Sequence, residues 1–140
     1  MNIQFPDRQI VERVRSLYPQ GARVDLVSMT DPYASLKPGD RGTVDFVDDA
    51  GTVFISWDSG STLGAVYGAD SIRLLTKAEI IREQCVATAK TGRTNMFDAK
   101  AVCEIALEMG FHELAGFILT RPKAYSAMIV TGELADKDIG

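Results

Sequence analysis

Between Ala22 and Leu75 no strand-forming run lasts more than eight positions before a turn signal interrupts it. The runs are 22–29 (ARVDLVSM), 42–47 (GTVDFV), 52–57 (TVFISW), 62–67 (TLGAVY) and 71–75 (SIRLL). A long Pro- and Gly-containing loop over 30–41 separates the first two. Asp48-Asp49-Ala50-Gly51, Asp58-Ser59-Gly60-Ser61 and Gly68-Ala69-Asp70 separate the rest. Val53, Ile55 and Trp57 alternate with Thr52, Phe54 and Ser56, so one face of that strand can enter a core. Five short strands, a long first loop and tight hairpins predict a small SH3-like barrel over 21–75. Closure removes exposed strand edges in few residues. Gly60 and Gly68 are expected to supply positive φ in their turns.

On either side of this segment the period is helical. Pro6 and Asp7 open a helix whose Ile10, Val11, Val14, Leu17 and Tyr18 share one face, and Pro19-Gln20-Gly21 ends it. A helix within residues 1–20 is marginal alone and is expected to pack on the barrel. After Leu75, Thr76-Lys77-Ala78-Glu79 reads as a capping box, opening a helix that Gly92 ends. A second helix is expected from near Asn95, with Asp98 in its first turn, to Gly110. A third covers 111–120 and a fourth runs from Pro122 to Gly132, followed by a frayed tail, ELADKDIG. The expectation is an α+β protein: an N-terminal helix, a five-stranded SH3-like barrel over 21–75 and a bundle of about four short helices over 76–140. The boundary falls at Leu75/Thr76 with no flexible linker, so barrel and helices are expected to share an interface.

The chain has 140 residues, 15 Lys plus Arg against 19 Asp plus Glu, and 46% hydrophobic residues, the composition of a folded domain. No apolar run approaches the ~20 residues of a membrane span and no signal segment opens the chain, so a cytoplasmic protein is expected. The net charge of -4 is uneven. Residues 21–75 carry four cations against eight Asp, whereas 76–140 carry eight cations against nine anions. Acidity opposes binding through phosphate contacts. The Asp residues fall in turns, where they are either solvated turn formers or an acidic rim that steers a basic partner.

The candidate protein-binding set is therefore Tyr33, Asp40, Asp48, Asp49, Asp58 and Tyr67, aromatic and acidic residues of loops and strand ends. Trp57 either joins that groove or continues the Val53–Ile55 core face. Lys90, Arg93, Lys100, Arg121 and Lys123 form an alternative set for nucleic acid, or complement helix dipoles. Cys85 and Cys103 lie 18 residues apart, outside any C-x-x-C pair, and read as small core residues. His112 is the single imidazole; a Cys103–His112 pair lacks any residue to orient it. No catalytic residue, metal or cofactor is expected.

Tyr18-Pro19, Gly21, Arg23-Val24, Leu26, Met29, Asp31-Pro32, Gly39, Gly42-Thr43-Val44, Asp48-Asp49, Gly51, Trp57-Asp58, Gly60-Ser61, Leu63, Gly68 and Asp70 carry a resemblance. The segment is similar to a domain family of unknown function found in phages and integrative elements of Firmicutes. Asn95-Met96, Asp98, Val102, Ile105-Ala106, Met109-Gly110, Glu113-Leu114, Phe117-Ile118, Tyr125, Ile129 and Thr131-Gly132 resemble a second uncharacterised mobile-element family. More distantly, Trp57-Asp58-Ser59-Gly60-Ser61 with Tyr67, Gly68 and Leu74 resembles the mind-bomb-type SH3-like module of ubiquitin ligases, a peptide-binding domain. The chain lacks that module's N-terminal aromatic and glycine pattern, so this likeness bears on fold. The resemblances imply a phage or mobile-element protein of a bacterial host. The functional expectation is non-enzymatic binding of a host or phage protein, such as a defence nuclease inhibited in the manner of anti-CRISPR proteins. The alternative is a nucleic-acid-binding accessory factor using the helices. A homo-oligomer is compatible with either, and no membrane partner is expected.

Overall fold

Asp7 starts the first helix by side-chain capping: its Oδ1 accepts from Gln9 N at 2.7 Å. In the computed structural model, which describes residues 7–31 and 34–139, this helix (α1) spans Arg8–Leu17. It buries Val11 and Val14, the middle of the expected apolar face. Five strands follow: β1 Arg23–Ser28, β2 Arg41–Val47, β3 Val53–Trp57, β4 Gly64–Ala65 and β5 Ser71–Leu74. Four helices complete the chain: α2 Lys77–Lys90, α3 Ala99–Glu108, α4 His112–Thr120 and α5 Pro122–Thr131. The fold class is α+β, as the alternation of periods implies.

The strands form one antiparallel sheet in the order β4-β3-β2-β1-β5. Among the described residues no ladder joins β4 to β5, so the sheet is open and the expected barrel closure is corrected. β4 is only two residues long, and the chain turns immediately afterwards as Ala69 N and Asp70 N donate to Val66 O. α1 lies beside the seam instead. Tyr18 Oη donates to Ile72 O on β5 at 3.4 Å, and Val14 joins a core with Val53 and Ala65.

Strand alternation sends Val24, Leu26, Val44, Val53, Ile55 and Trp57 into that core. Trp57 is 3% exposed and its Nε1 donates to Leu63 O at 2.8 Å, so it is core and not groove. A bulge at Asp45 changes the phase of β2: Val44 pairs with Ile55, but Phe46 pairs with Phe54. Phe46 is thereby turned outward, 55% exposed, and its ring stacks on Phe54 at 4.7 Å. Elsewhere the outer face carries ion pairs. Arg23 forks onto Asp58 at 2.8 and 2.7 Å, and Arg73 reaches Asp25 at 2.6 Å. Gly60 and Gly68 do take positive φ, 98° and 80°.

The chain divides into two compact units after Leu75. The second has its own core of Ile81, Cys85, Val102, Cys103, Ala106, Leu114, Phe117, Ile118, Tyr125 and Met128, among others. Thr76 caps α2 through the expected box: Glu79 N donates to Thr76 Oγ1 at 3.2 Å and Thr76 N to Glu79 Oε1 at 3.0 Å. α3 begins four residues later than expected, because Asp98 is its N-cap, accepting from Ala101 N, and Asn95 instead caps a turn through Phe97 N. The tail does not simply fray. Asp136–Asp138 form a 3-10 turn, and Leu134 and Ile139 pack against the helical core.

Candidate functional site

A groove of about 280 Å³ opens between the C-terminal half of α1 and the β4–β5 turn. Val14, Val53, Ala65 and Ile72 line it from the core side. Leu17, Val66 and Tyr67 stand at its mouth, 52%, 48% and 49% exposed. Two local features place these side chains. Leu17 ends α1, three residues after buried Val14, so it leaves the helix on the sheet side. Val66 and Tyr67 follow β4 directly and are held in a turn closed at Val66 O.

Asp70 fixes the turn and also lines the groove. Its Oδ2 accepts from Val66 N at 2.8 Å. Its Oδ1 accepts from Thr30 N at 2.9 Å and Thr30 Oγ1 at 3.1 Å. Partial burial pushes this carboxyl up, but the bonds from Val66 and Thr30 outweigh burial and leave its pKa below the ordinary value. Asp70 is therefore ionised at neutral pH, and it ties the start of the 30–41 loop to the groove's lip.

Of the expected protein-binding residues, Tyr67 lines this groove. Tyr33 lies outside the described residues. Asp48 and Asp49 belong to the β2–β3 turn, which ends at the groove residue Gly51. Their carboxylates are engaged locally, however. Asp48 Oδ1 accepts from Ala50 N and Thr52 N at 2.9 Å each, and Asp49 Oδ1 takes Arg15 Nη2 at 2.8 Å. Asp49 holds the Arg15 guanidinium above its usual range. Asp40 accepts from Lys37 N at 3.0 Å within its own turn, and Asp58 is held by Arg23. The turn-former reading accounts for Asp40 and Asp48, and ion pairing for Asp49 and Asp58. Leu17, Val66 and Asp70 were not singled out by the sequence. Leu17 is indistinguishable from a core position by period alone, and Asp70 reaches a partner forty residues away.

In the helical unit the alternative set is dispersed. Lys90 lies in the last turn of α2, where it complements the dipole, and Arg93 pairs with Glu108 at 2.7 Å. Lys100 and Lys123 instead occupy first turns, of α3 and α5, and Arg121 is the single residue between α4 and α5. Among the described residues Lys90, Lys100, Arg121 and Lys123 have no ion-pair partner. Cys85 and Cys103 are buried free thiols. Burial pushes Cys85 up, and Cys103 Sγ contacts Ala115 O at 3.8 Å. His112 lines a separate groove of about 330 Å³ with Lys77, Glu113 and Gly116. Among the described residues no group of His, Cys, Asp and Glu has the arrangement of a metal site, and no helix is long and apolar enough to cross a membrane.

Residues 7–75 match a family model described as a domain of unknown function (DUF4314), and residues 77–133 match a second (DUF5049). The two matches meet at the boundary between the structural units. No curated protein matches the chain.

Proposed function

We propose that the protein is a non-enzymatic binder of another protein and that the groove between α1 and the β4–β5 turn is its contact site. The observation that carries this reading is the groove itself, an apolar hollow whose mouth holds half-exposed Leu17, Val66 and Tyr67. Apolar side chains gathered at a cavity lose water on binding and act as anchors for a partner. The finer reading is inhibition of a bacterial defence nuclease, in the manner of anti-CRISPR proteins, inside a bacterial host cell. It is supported by the resemblance to mobile-element families and by the acid excess of residues 21–75. Expression of the chain in a CRISPR-immune host is expected to restore phage plating, and Leu17→Asp to abolish the effect. Unchanged plating, with no defence component recovered by affinity purification, would overturn the finer reading.

A second reading, a nucleic-acid-binding accessory factor, draws on one observation. Lys100 and Lys123 sit at the helix ends where the dipole disfavours a cation, so their placement serves no local electrostatic purpose. It predicts a gel shift at low salt that weakens when Lys100, Arg121 and Lys123 are neutralised. No shift at low salt removes it.

A further inference from the structure

We infer that the groove selects an apolar anchor residue with a Lys or Arg close to it in the partner's chain, the anchor entering between Leu17 and Tyr67 and the cation facing Asp70. This rests on the groove reading above and adds the chemistry of the occupant.

Among the described lining residues Asp70 carries the one charge; the others are apolar or neutral polar. The carboxylate is already fixed in place by its bonds from Val66 and Thr30. An ionised carboxylate offers about four lone-pair sites, and these bonds occupy three. Among the described residues nothing else bonds this carboxylate, so one acceptor direction and its negative charge remain for a ligand. A purely apolar occupant would strip water from that charge and return nothing, whereas a ligand cation replaces the lost hydration. Selection therefore acts against neutral and acidic segments as much as in favour of basic ones.

The other acids near the groove do not compete for this role. Neither Asp48 nor Asp49 lines the groove, and Asp49 is paired with Arg15. The excess of eight Asp over four cations in residues 21–75 adds a long-range attraction for the same kind of partner. At about 280 Å³ the groove lies at the small end of ligand pockets, a size for one anchored side chain and not for a whole cofactor.

The test uses the full chain and a displayed library of random 12-residue peptides, with enriched sequences resynthesised and titrated by fluorescence anisotropy. Enriched peptides are expected to lose binding to Leu17→Asp and to share an apolar residue within two positions of Lys or Arg. Replacing that cation by Gln is expected to weaken binding to the wild type about three- to tenfold, as for a partly exposed ion pair. The same replacement should change little against Asp70→Asn, whose folding is checked by its thermal transition. Because the cation is removed from the peptide, the wild-type measurement stands even if Asp70→Asn unfolds. Peptides that need Leu17 but tolerate loss of the cation overturn this inference and leave the groove reading intact. No enrichment, or enriched peptides that bind Leu17→Asp equally well, overturns both.

Discussion

Gly42 shows how much of this fold is decided at single positions. A Cβ there would lie 2.5 Å from Ile55 Cγ2, 3.0 Å from Ser56 O and 3.1 Å from Trp57 Cα. Two of these neighbours are backbone atoms of β3, so the side chain of even alanine would separate the strands. Gly42→Ala is expected to destabilise the sheet by about 1–3 kcal/mol, as overpacking does, measured by urea denaturation followed through Trp57 fluorescence. In the sequence Gly42 only flanks a strand, since the close approach depends on a register that no local pattern reveals. Tyr125 makes the corresponding point in the helical unit. It is fully buried, its Oη donates to Met96 O, and burial, with the Cys85 thiol nearby, pushes its pKa up. Tyr125→Phe keeps the packing and orphans a carbonyl, a loss of about 1–2 kcal/mol read from helix ellipticity during urea denaturation. Asp70 is the residue whose effect depends on pH. Its folded pKa is depressed, so its contribution is present above the unfolded value and is lost as pH falls through the folded one. Wild-type stability is therefore expected to drop below about pH 4, near the unperturbed Asp value, more steeply than that of Asp70→Asn, compared by urea midpoints from pH 6 to pH 2.5.

At the scale of elements, the legible features are those written within four or five consecutive residues. The α2 capping box is one: Thr76 and Glu79 lie three apart, and their reciprocal bonds form as the pattern requires. Thr76→Ala should cost about 1 kcal/mol of stability, read from helix ellipticity during urea denaturation, and Thr76→Ser should retain most of it. The turn-forming Asp residues are another, because Asp40 and Asp48 bond to N–H groups of their own turns. What stayed hidden involves partners far apart in sequence. The bulge at Asp45 reverses the outlook of Phe46, which strict alternation would place beside Val44. The missing β4–β5 ladder follows from a two-residue strand and from α1 packing where closure would occur. The groove arises from that same arrangement, which is why Tyr67 could be named from its loop position while Leu17 and Asp70 could not. Asp98 illustrates the intermediate case: a residue of the right type sat at the right end of α3, but as its N-cap and not inside its first turn.

For the whole molecule, two cores in 140 residues mean that each unit rests on few buried side chains. The only tryptophan is buried in the sheet unit, whereas 43 residues of α2–α5 dominate the helical ellipticity of the chain. The two signals therefore report on different cores. Gly42→Ala acts on strand packing around Trp57, and Tyr125→Phe acts on the helical core. If each core carries its own stability, Gly42→Ala lowers the fluorescence midpoint more than the ellipticity midpoint, and Tyr125→Phe does the reverse. Both are measured on the intact chain, so neither unit is assumed to fold alone. Equal shifts of both signals in both variants would mean one cooperative transition in place of two. That outcome would change how binding is read as well. With separate transitions, a groove ligand protects the Trp57 signal alone, by an amount set by its concentration relative to its dissociation constant. With one transition the same ligand protects both signals equally, and the helices share in the stabilisation of the groove.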